Sequence, residues 1–463
     1  MVLMKNNIIF IFVFILINFF HSTGVKGIEQ FNFDVTEIEI LEEGNLYKGL
    51  KKGTISTNDG VVIEANEFEY NKTLNKLVAS GNVEVRDKIN NYIIYSSSIT
   101  YYKNNELIVS KGNSKALLPE ITIQGEDFEY FKNDNIFKVK KNVKIIDEIN
   151  NILILSQNIN YNKNKEIFFS SGYTESIIDS KYNFKSSDVY FQRKKMKLYS
   201  DEQTKITDGN NNYQLEKFVY TVDNKKLKGE KILVTTDNNL PKSDKYFFES
   251  GFFNLSKKEF IAKNVKILLH PTLFGVEENN PRIKGVSSTS KNGITTVNKA
   301  IFTSCSNNND KCPPWAISAN KIIHDKNKKQ LIYNDAVLKI YDYPVAYFPK
   351  FFHPDPSVKR QSGFLKPQIN SSNVLGDSIY VPYFYVISEN KDLTFKPTFF
   401  DSSMQMFQNE YRQQNKDSSL IADFSLTRGY KSSSSNTKNS ISHLFAEFNS
   451  KLNFESFLKS DLY

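Results

Sequence analysis

The sequence predicts an all-β chain in two styles: an open stack of strand pairs of about thirty residues each, then the first strands of a transmembrane β-barrel. Three observations lead there. Aromatic residues are abundant, 37 Phe and 25 Tyr, and they suit a pleated surface. A unit recurs along the first half of the chain. After Pro367 the strands change in kind.

The N-terminus comes first. Lys5 precedes Ile8 to Phe20, IIFIFVFILINFF, which is too short to span a bilayer and suits the apolar region of a signal peptide. Ser22 and Gly24 fit a cleavage site, so residues 1–24 are expected as a signal peptide, the chain as exported, and 25–60 as an N-terminal leader.

Residues 61–350 are expected as the stack. Residues 61–112 align with 121–172 at an offset of 60, with 21 identities in 52 positions and no gap. An apolar-x-aromatic pattern recurs within each unit, at Phe68-Tyr70, Ile99-Tyr101, Phe128-Tyr130, Ile159-Tyr161, Val189-Phe191 and Phe218-Tyr220. Its aromatic members are 31, 29, 31, 30 and 29 residues apart, a period that means stacked units. Val83 with Val85, and Val143 with Ile145, alternate with polar neighbours, so one strand face is buried. Ser80-Gly81-Asn82 and Asp208-Gly209-Asn210 read as turns. Ile63, Phe68, Phe128, Ile159 and Phe218 then face inward. Two readings fit them: a packed core, or a groove for a long apolar ligand.

From Pro271 the repeat decays, and SSTSKNG suggests an irregular loop. Rung-like patterning returns at Trp315 to Ile340. Tyr343 to Pro367 is an aromatic, proline-punctuated seam, with 351–375 expected as linker. Lys350, Lys359, Arg360 and Lys366 outnumber the single acid Asp355 there, a pattern that suits an anionic headgroup or a membrane phosphate. Residues 376–463 are expected to begin a barrel: Gly376–Ile387, Asp392–Phe400, Gln405–Gln414, Leu420–Thr427, His443–Asn449 and Lys451–Leu458 read as strands. Leu393, Phe395, Pro397 and Phe399 lie on one face and Thr394, Lys396 and Thr398 on the other, the weak pattern of an outer-membrane barrel. A soluble sandwich fits the same pattern taken alone. Pro382 and Pro397 fall in consecutive expected strands, where proline removes a ladder donor.

Catalytic chemistry is not legible. The five histidines are scattered, and no HExxH, GxSxG or phosphate-binding loop occurs, so no enzyme and no cofactor or metal is expected. Glu67 and Glu69 recur as Asp127 and Glu129 and belong to the repeat. The net charge of +9 suits anionic lipid or a solvated Lys-rich surface; no nucleic-acid partner is expected. Cys305 and Cys312 make a poor zinc pattern and a candidate disulfide in an exported protein.

At the seam a family resemblance emerges. Pro344-Val345-Ala346-Tyr347-Phe348-Pro349, Arg360-Gln361-Ser362-Gly363-Phe364-Leu365-Lys366-Pro367, Pro382-Tyr383, Asp392-Leu393-Thr394 and Glu410-Tyr411-Arg412 occur in an order that resembles the outer-membrane lipopolysaccharide-assembly (LptD, or OstA) family. Thr303-Ser304-Cys305 and Trp315-Ala316-Ile317-Ser318-Ala319 fit it too, and HPDPSVKRQSGFLKP looks like its alphaproteobacterial branch. The resemblance implies a periplasmic OstA-type open β-jellyroll leading into an outer-membrane barrel. Its partners would be lipopolysaccharide, a periplasmic bridge protein of the same fold, a plug lipoprotein and the barrel-assembly machinery. Acyl chains would travel in the jellyroll, and the lipid would leave by a lateral gate near Pro382 and Pro397. The family's barrel has far more strands than the six expected here, so the chain is expected to be C-terminally truncated. The cysteines would pair locally or with a barrel partner. The competing function is an exported structural or adhesive β-solenoid.

Overall fold

The computed structural model describes residues 31–237, 243–270, 280–305, 313–354, 358, 360–373, 375–431, 438–451 and 457–462. The expected signal peptide lies outside them. The chain divides into two compact units between Val234 and Thr235. Apart from single-turn 3-10 segments at Glu42–Gly44, Lys103–Asn105 and Arg193–Lys195, every regular element among the described residues is a strand.

In the first unit the strands pair antiparallel, and the long ones pair each with the next. Lys76–Asp87 pairs with Tyr92–Tyr102, which pairs with Leu107–Leu117, and the ladder continues through Ile121–Phe131, Ile136–Asp147, Ile152–Asn162 and Ile167–Ile178 to Tyr182–Gln192. A strand of 11 or 12 residues plus a short turn is half the sequence period, so one hairpin makes the period and two make the offset of 60. Asn32–Leu41 and Leu46–Ser56, within the segment expected as a leader, pair with each other, and the second pairs with Val61–Ala65 and Glu67–Asn71.

Each long strand bends once near its middle. The ladder shifts register between Ser80 and Val83, Tyr95 and Ser98, Lys111 and Ser114, Gln124 and Asp127, and Ser156 and Asn158. A bulge inserts a residue and resets the two-residue phase. In Tyr92–Tyr102 the buried residues are therefore Tyr92, Ile94 and Ser96 before the shift, and Ile99 and Tyr101 after it. The bend needs left-handed backbone, supplied by Gly81 and Asn82 (φ +76° and +51°) and by Lys141 and Asn142 (φ +62° and +51°). Ser80-Gly81-Asn82, read from the sequence as a turn between strands, is such a bulge inside Lys76–Asp87. Turns and bulges make the same demand on φ, so residue type does not separate them. Gly125 serves the bend differently: a Cβ there would sit 2.4 Å from Val139 Cγ1.

In the second unit, Lys245–Asn254, Glu259–Leu268, Arg282–Lys291 and Ile294–Thr303 continue the antiparallel style, as do Trp315–Asp325, Gln330–Ile340 and Tyr343–Pro354. The expected loop at SSTSKNG is instead the end of one strand and a tight hairpin: Lys291 pairs with Ile294 across Asn292-Gly293, both at positive φ. A separate sheet of nine strands, Gly363–Phe364 to Phe457–Leu462, follows. Its order is sequential from Tyr383–Ser388 onward. The expected strand Gly376–Ile387 is broken into Gly376–Tyr380 and Tyr383–Ser388, because Pro382 has no N–H to give to the ladder. Part of the expected strand Lys451–Leu458 lies outside the described residues.

Candidate functional site

Because each strand is folded at its bulge, its two halves face each other across an apolar interior. Ile63, Phe68, Phe128, Ile159 and Phe218 all lie there, and none is more than 3% exposed. The aromatic members of the repeating pattern lie further out, one residue short of the strand end. Tyr92 meets Tyr130 edge-on at 4.7 Å between ring centroids, and Tyr130 stacks on Phe137 at 4.2 Å. Several tyrosines hand their hydroxyls to polar groups at the turns. Tyr101 donates to Glu106 at 2.6 Å, and Tyr130 donates to Asn135 at 2.8 Å. An amphipathic ring at the edge of an apolar space keeps its polar tip satisfied this way. Burial pushes the Tyr101, Tyr130 and Tyr220 hydroxyls well above their ordinary pKa, so all three stay neutral, and Tyr101 and Tyr130 act as donors.

The bend is lined with hydroxyls. Ser96 Oγ lies 2.9 Å from Ser114 Oγ, to which Ser110 donates at 2.8 Å. Sixty residues on, Ser170 and Thr174 repeat the contact at 2.5 Å; thirty further, Ser186 and Thr204 do so at 2.7 Å. These hydroxyls also donate to carbonyls that the bulge has taken out of the ladder, as Ser96 does to Lys111 at 3.1 Å and Ser200 to Ser187 at 2.6 Å. Alternation alone does not reveal this row. Its signal in the sequence is a Ser or Thr recurring at the offset of the repeat.

At the opposite side of the interior, the turns from the two strand ends form two facing rows. In the first row each turn hydrogen-bonds the next: Lys103 N–H donates to Asn75 O, Lys132 to Glu106, Lys163 to Asn135 and Arg193 to Glu166, at 2.9–3.0 Å. Side chains from this row reach across to the other. Lys103 pairs with Asp59 at 3.1 Å, and Lys132 pairs with Asp59 and approaches Asp87 at 3.8 Å. Lys163 donates to the Asn90 carbonyl, Arg193 pairs with Asp147 at 2.7 Å and with Glu120, and Lys225 pairs with Asp179. These pairs close the mouth of the folded sheet. Burial pushes the Asp59 carboxyl up, but hydrogen bonds from Lys132, Thr57 and Lys103 outweigh it and hold Asp59 well below the usual carboxylate range. Burial also lowers the Lys163 ammonium, with Asp87 opposing. The sequence reading missed this row, although a Lys or Arg at 103, 132, 163 and 193 keeps the period of the repeat.

In the second unit the described seam cations have different surroundings. Lys350 lies exposed on Tyr343–Pro354, and Lys366 is exposed in the loop after Gly363–Phe364. Lys359 lies outside the described residues. Arg360 is committed within the protein: it pairs with Asp392 and donates to the Glu389 carbonyl. Arg412 pairs with the same carboxylate at 2.8 Å, and both guanidiniums lie about 6 Å from the Phe384 ring centre. This cluster lines a cavity of about 680 Å³. Inside it, the buried Gln361 Oε1 has no hydrogen-bond partner.

The nine-stranded sheet inverts the usual arrangement. Asp392, Thr394 and Thr398 are buried, whereas Phe395 and Phe399 on the alternate positions are 38% and 44% exposed. The covered face carries Lys396 on Glu410, Gln408 donating to Asp423 at 2.6 Å, and Ser425 at 3.0 Å from His443 Nδ1. The two prolines meet across this sheet. Tyr380 pairs with Thr398 and Tyr383 with Phe395, so the break at Val381-Pro382 lies beside Pro397. Val381 N–H donates to the Pro397 carbonyl at 3.3 Å, and Leu365 N–H to that of Pro382 at 2.8 Å. Cys305 is half-buried, with Sγ 3.7 Å from the Trp315 carbonyl; Cys312 lies outside the described residues.

A stack of strands with an apolar interior, joined in sequence to a sheet that hides polar side chains, narrows the comparison with known proteins. This chain is similar to LPS-assembly proteins LptD. The LptD of a Polaromonas species is 36% identical over 104 residues, 22% of this chain and 12% of that protein. The LptD of Hahella chejuensis is 30% identical over 149 residues, 32% of this chain and 17% of that protein. The LptD of Legionella pneumophila is 34% identical over 116 residues, 25% and 13% of the two chains. The matches thus span less than a fifth of the LptD relatives' length. No family model matches the chain.

Proposed function

We propose that this protein transports lipopolysaccharide to the outer membrane and inserts it into the outer leaflet. The observation that carries the reading is the similarity to LPS-assembly proteins, in a chain whose strands change from apolar-inside to polar-inside. A polar-lined, apolar-coated sheet suits a barrel in lipid, and an apolar interior suits acyl chains. In this reading the first unit is periplasmic, acyl chains travel past Ile63, Phe68, Phe128, Ile159 and Phe218, and the saccharide crosses the barrel lumen. The lipid leaves beside Pro382 and Pro397, where the ladder is broken. The interior is packed closed, so a lipid must part the two halves of the folded strands to enter.

The partners follow from the same reading. Among the described residues, Asn32–Leu41 pairs on one side only and exposes Ile38 and Ile40. Such an edge suits a bridge protein that adds a strand. A plug lipoprotein would fill the lumen, and the barrel-assembly machinery would insert the sheet. Catalysis has no part in the reading. Among the described seam cations, Lys350 and Lys366 are better placed to meet a headgroup phosphate than Arg360, which already holds Asp392. Depletion of the full-length protein in its own cell tests the function. Antibody-accessible lipopolysaccharide on intact cells should fall as the protein is lost; an unchanged level overturns the reading.

A further inference from the structure

The ion pairs across the mouth of the first unit invite a question about what they exclude. Lys103, Lys132 and Arg193 are largely buried, at 14%, 9% and 13% side-chain exposure, and the Asp87 side chain is fully buried. Stripping one partner from such a pair is costly, because the remaining charge is left desolvated. The mouth therefore resists a neutral lipid. It yields more readily to a ligand that brings its own anion. The chain carboxylates also leave capacity unused: Asp59 Oδ1 is buried without a hydrogen-bond partner. The cations stand on successive turns of one hydrogen-bonded row, and each pair of strands adds one more.

We propose that Lys103, Lys132, Lys163 and Arg193 form a phosphate-binding track along the mouth, where the chain carboxylates are placeholders that an anionic amphiphile displaces. Acyl chains enter between the parted halves, and the phosphate takes the cation that Asp59 or Asp147 gives up. The repeat then offers the next cation one hairpin further along, so the headgroup moves stepwise while staying paired. Lys103, Lys132 and Arg193 bind most tightly, because each already holds more than one acid. This inference rests on the lipopolysaccharide reading and adds a requirement for phosphate.

The test uses the full-length protein in detergent and two probes, a lipid A bearing its phosphates and the same lipid after phosphatase treatment. The wild type should bind the phosphorylated form at least about tenfold more tightly, the worth of one charge-assisted hydrogen bond. Lys132→Gln with Arg193→Gln should abolish that preference. Asp59→Asn with Asp147→Asn should strengthen it, since the competing anions are gone while their hydrogen-bonding shape remains. Opposite signs for the two double variants are what a binding track requires; a purely structural latch makes both weaken binding alike, and that result overturns the proposal. Equal binding of the two probes by the wild type overturns the track and leaves an acyl path standing. Binding of neither probe overturns both.

Discussion

In the strand Ile121–Phe131 the buried positions are Ile121, Ile123, Gly125, Phe128 and Tyr130, whereas in Lys391–Phe400 they are Asp392, Thr394 and Thr398. Both strands alternate, and both belong to antiparallel ladders. What differs is which set of side chains is covered. In the first unit, apolar groups are hidden and the mouth is held by charge. In the nine-stranded sheet, charged and hydroxyl groups satisfy one another on the covered face, as Lys396 does with Glu410, while Phe395 and Phe407 stack on the open face at 6.2 Å. The hydrophobic effect drives the first arrangement in water. The second suits an outer medium that is itself apolar. The comparison teaches that alternation fixes the period of a strand, and the solvent decides its polarity.

The largest expected effects come from disturbing that polarity. Phe128→Ala should cost about 3–5 kcal/mol in urea unfolding of the first unit, because the ring is fully buried among neighbours that cannot all collapse into its place. Phe424→Lys puts a charge on the exposed face of the second sheet. It should cost about 2–4 kcal/mol on insertion into vesicles if that face meets lipid, and within about 0.5 kcal/mol if it meets water.

Acid sharpens the comparison at the mouth. The folded-state pKa of Asp59 is depressed, so its contribution is complete above the unfolded carboxylate value of about 3.9 and is lost as pH falls through the folded value. Stability of the first unit should therefore be insensitive to Asp59 near neutrality and should drop at more acid pH. Asp59→Asn should flatten that acid limb, as read by fluorescence melts between pH 2 and pH 7.

The smallest expected effect is at the prolines. Pro382→Ala with Pro397→Ala restores up to two ladder donors, each worth about 0.5–1.5 kcal/mol. In the full-length protein this double variant should assemble normally and release lipid more slowly. Normal release would remove the prolines from any gating role.

The two architectures were legible in the sequence because the 60-residue offset and the apolar-x-aromatic pattern are direct consequences of stacking hairpins. Phe68, Phe128 and Phe218 were expected inward and are inward. The bend was not legible, since Gly81-Asn82 serves a bulge as well as a turn. Nor was the closure of the mouth. Lys132 meets Asp59 and Arg193 meets Glu120 across 73 residues of sequence, and only the folding of the strands brings them together. Arg360 was read with the seam lysines by proximity in sequence, but its partner Asp392 comes from a later strand. The break at Pro382 follows from proline chemistry, and only the ladder shows that it stands beside Pro397.

The account depends most on the first unit's interior being a lipid path. A photo-crosslinking residue at Phe128, which faces inward, and one at Glu129, which faces outward, would be compared in the full-length protein during transport in cells. Adducts with lipopolysaccharide should form at position 128 and not at 129. Adducts at 129 alone would contradict the account.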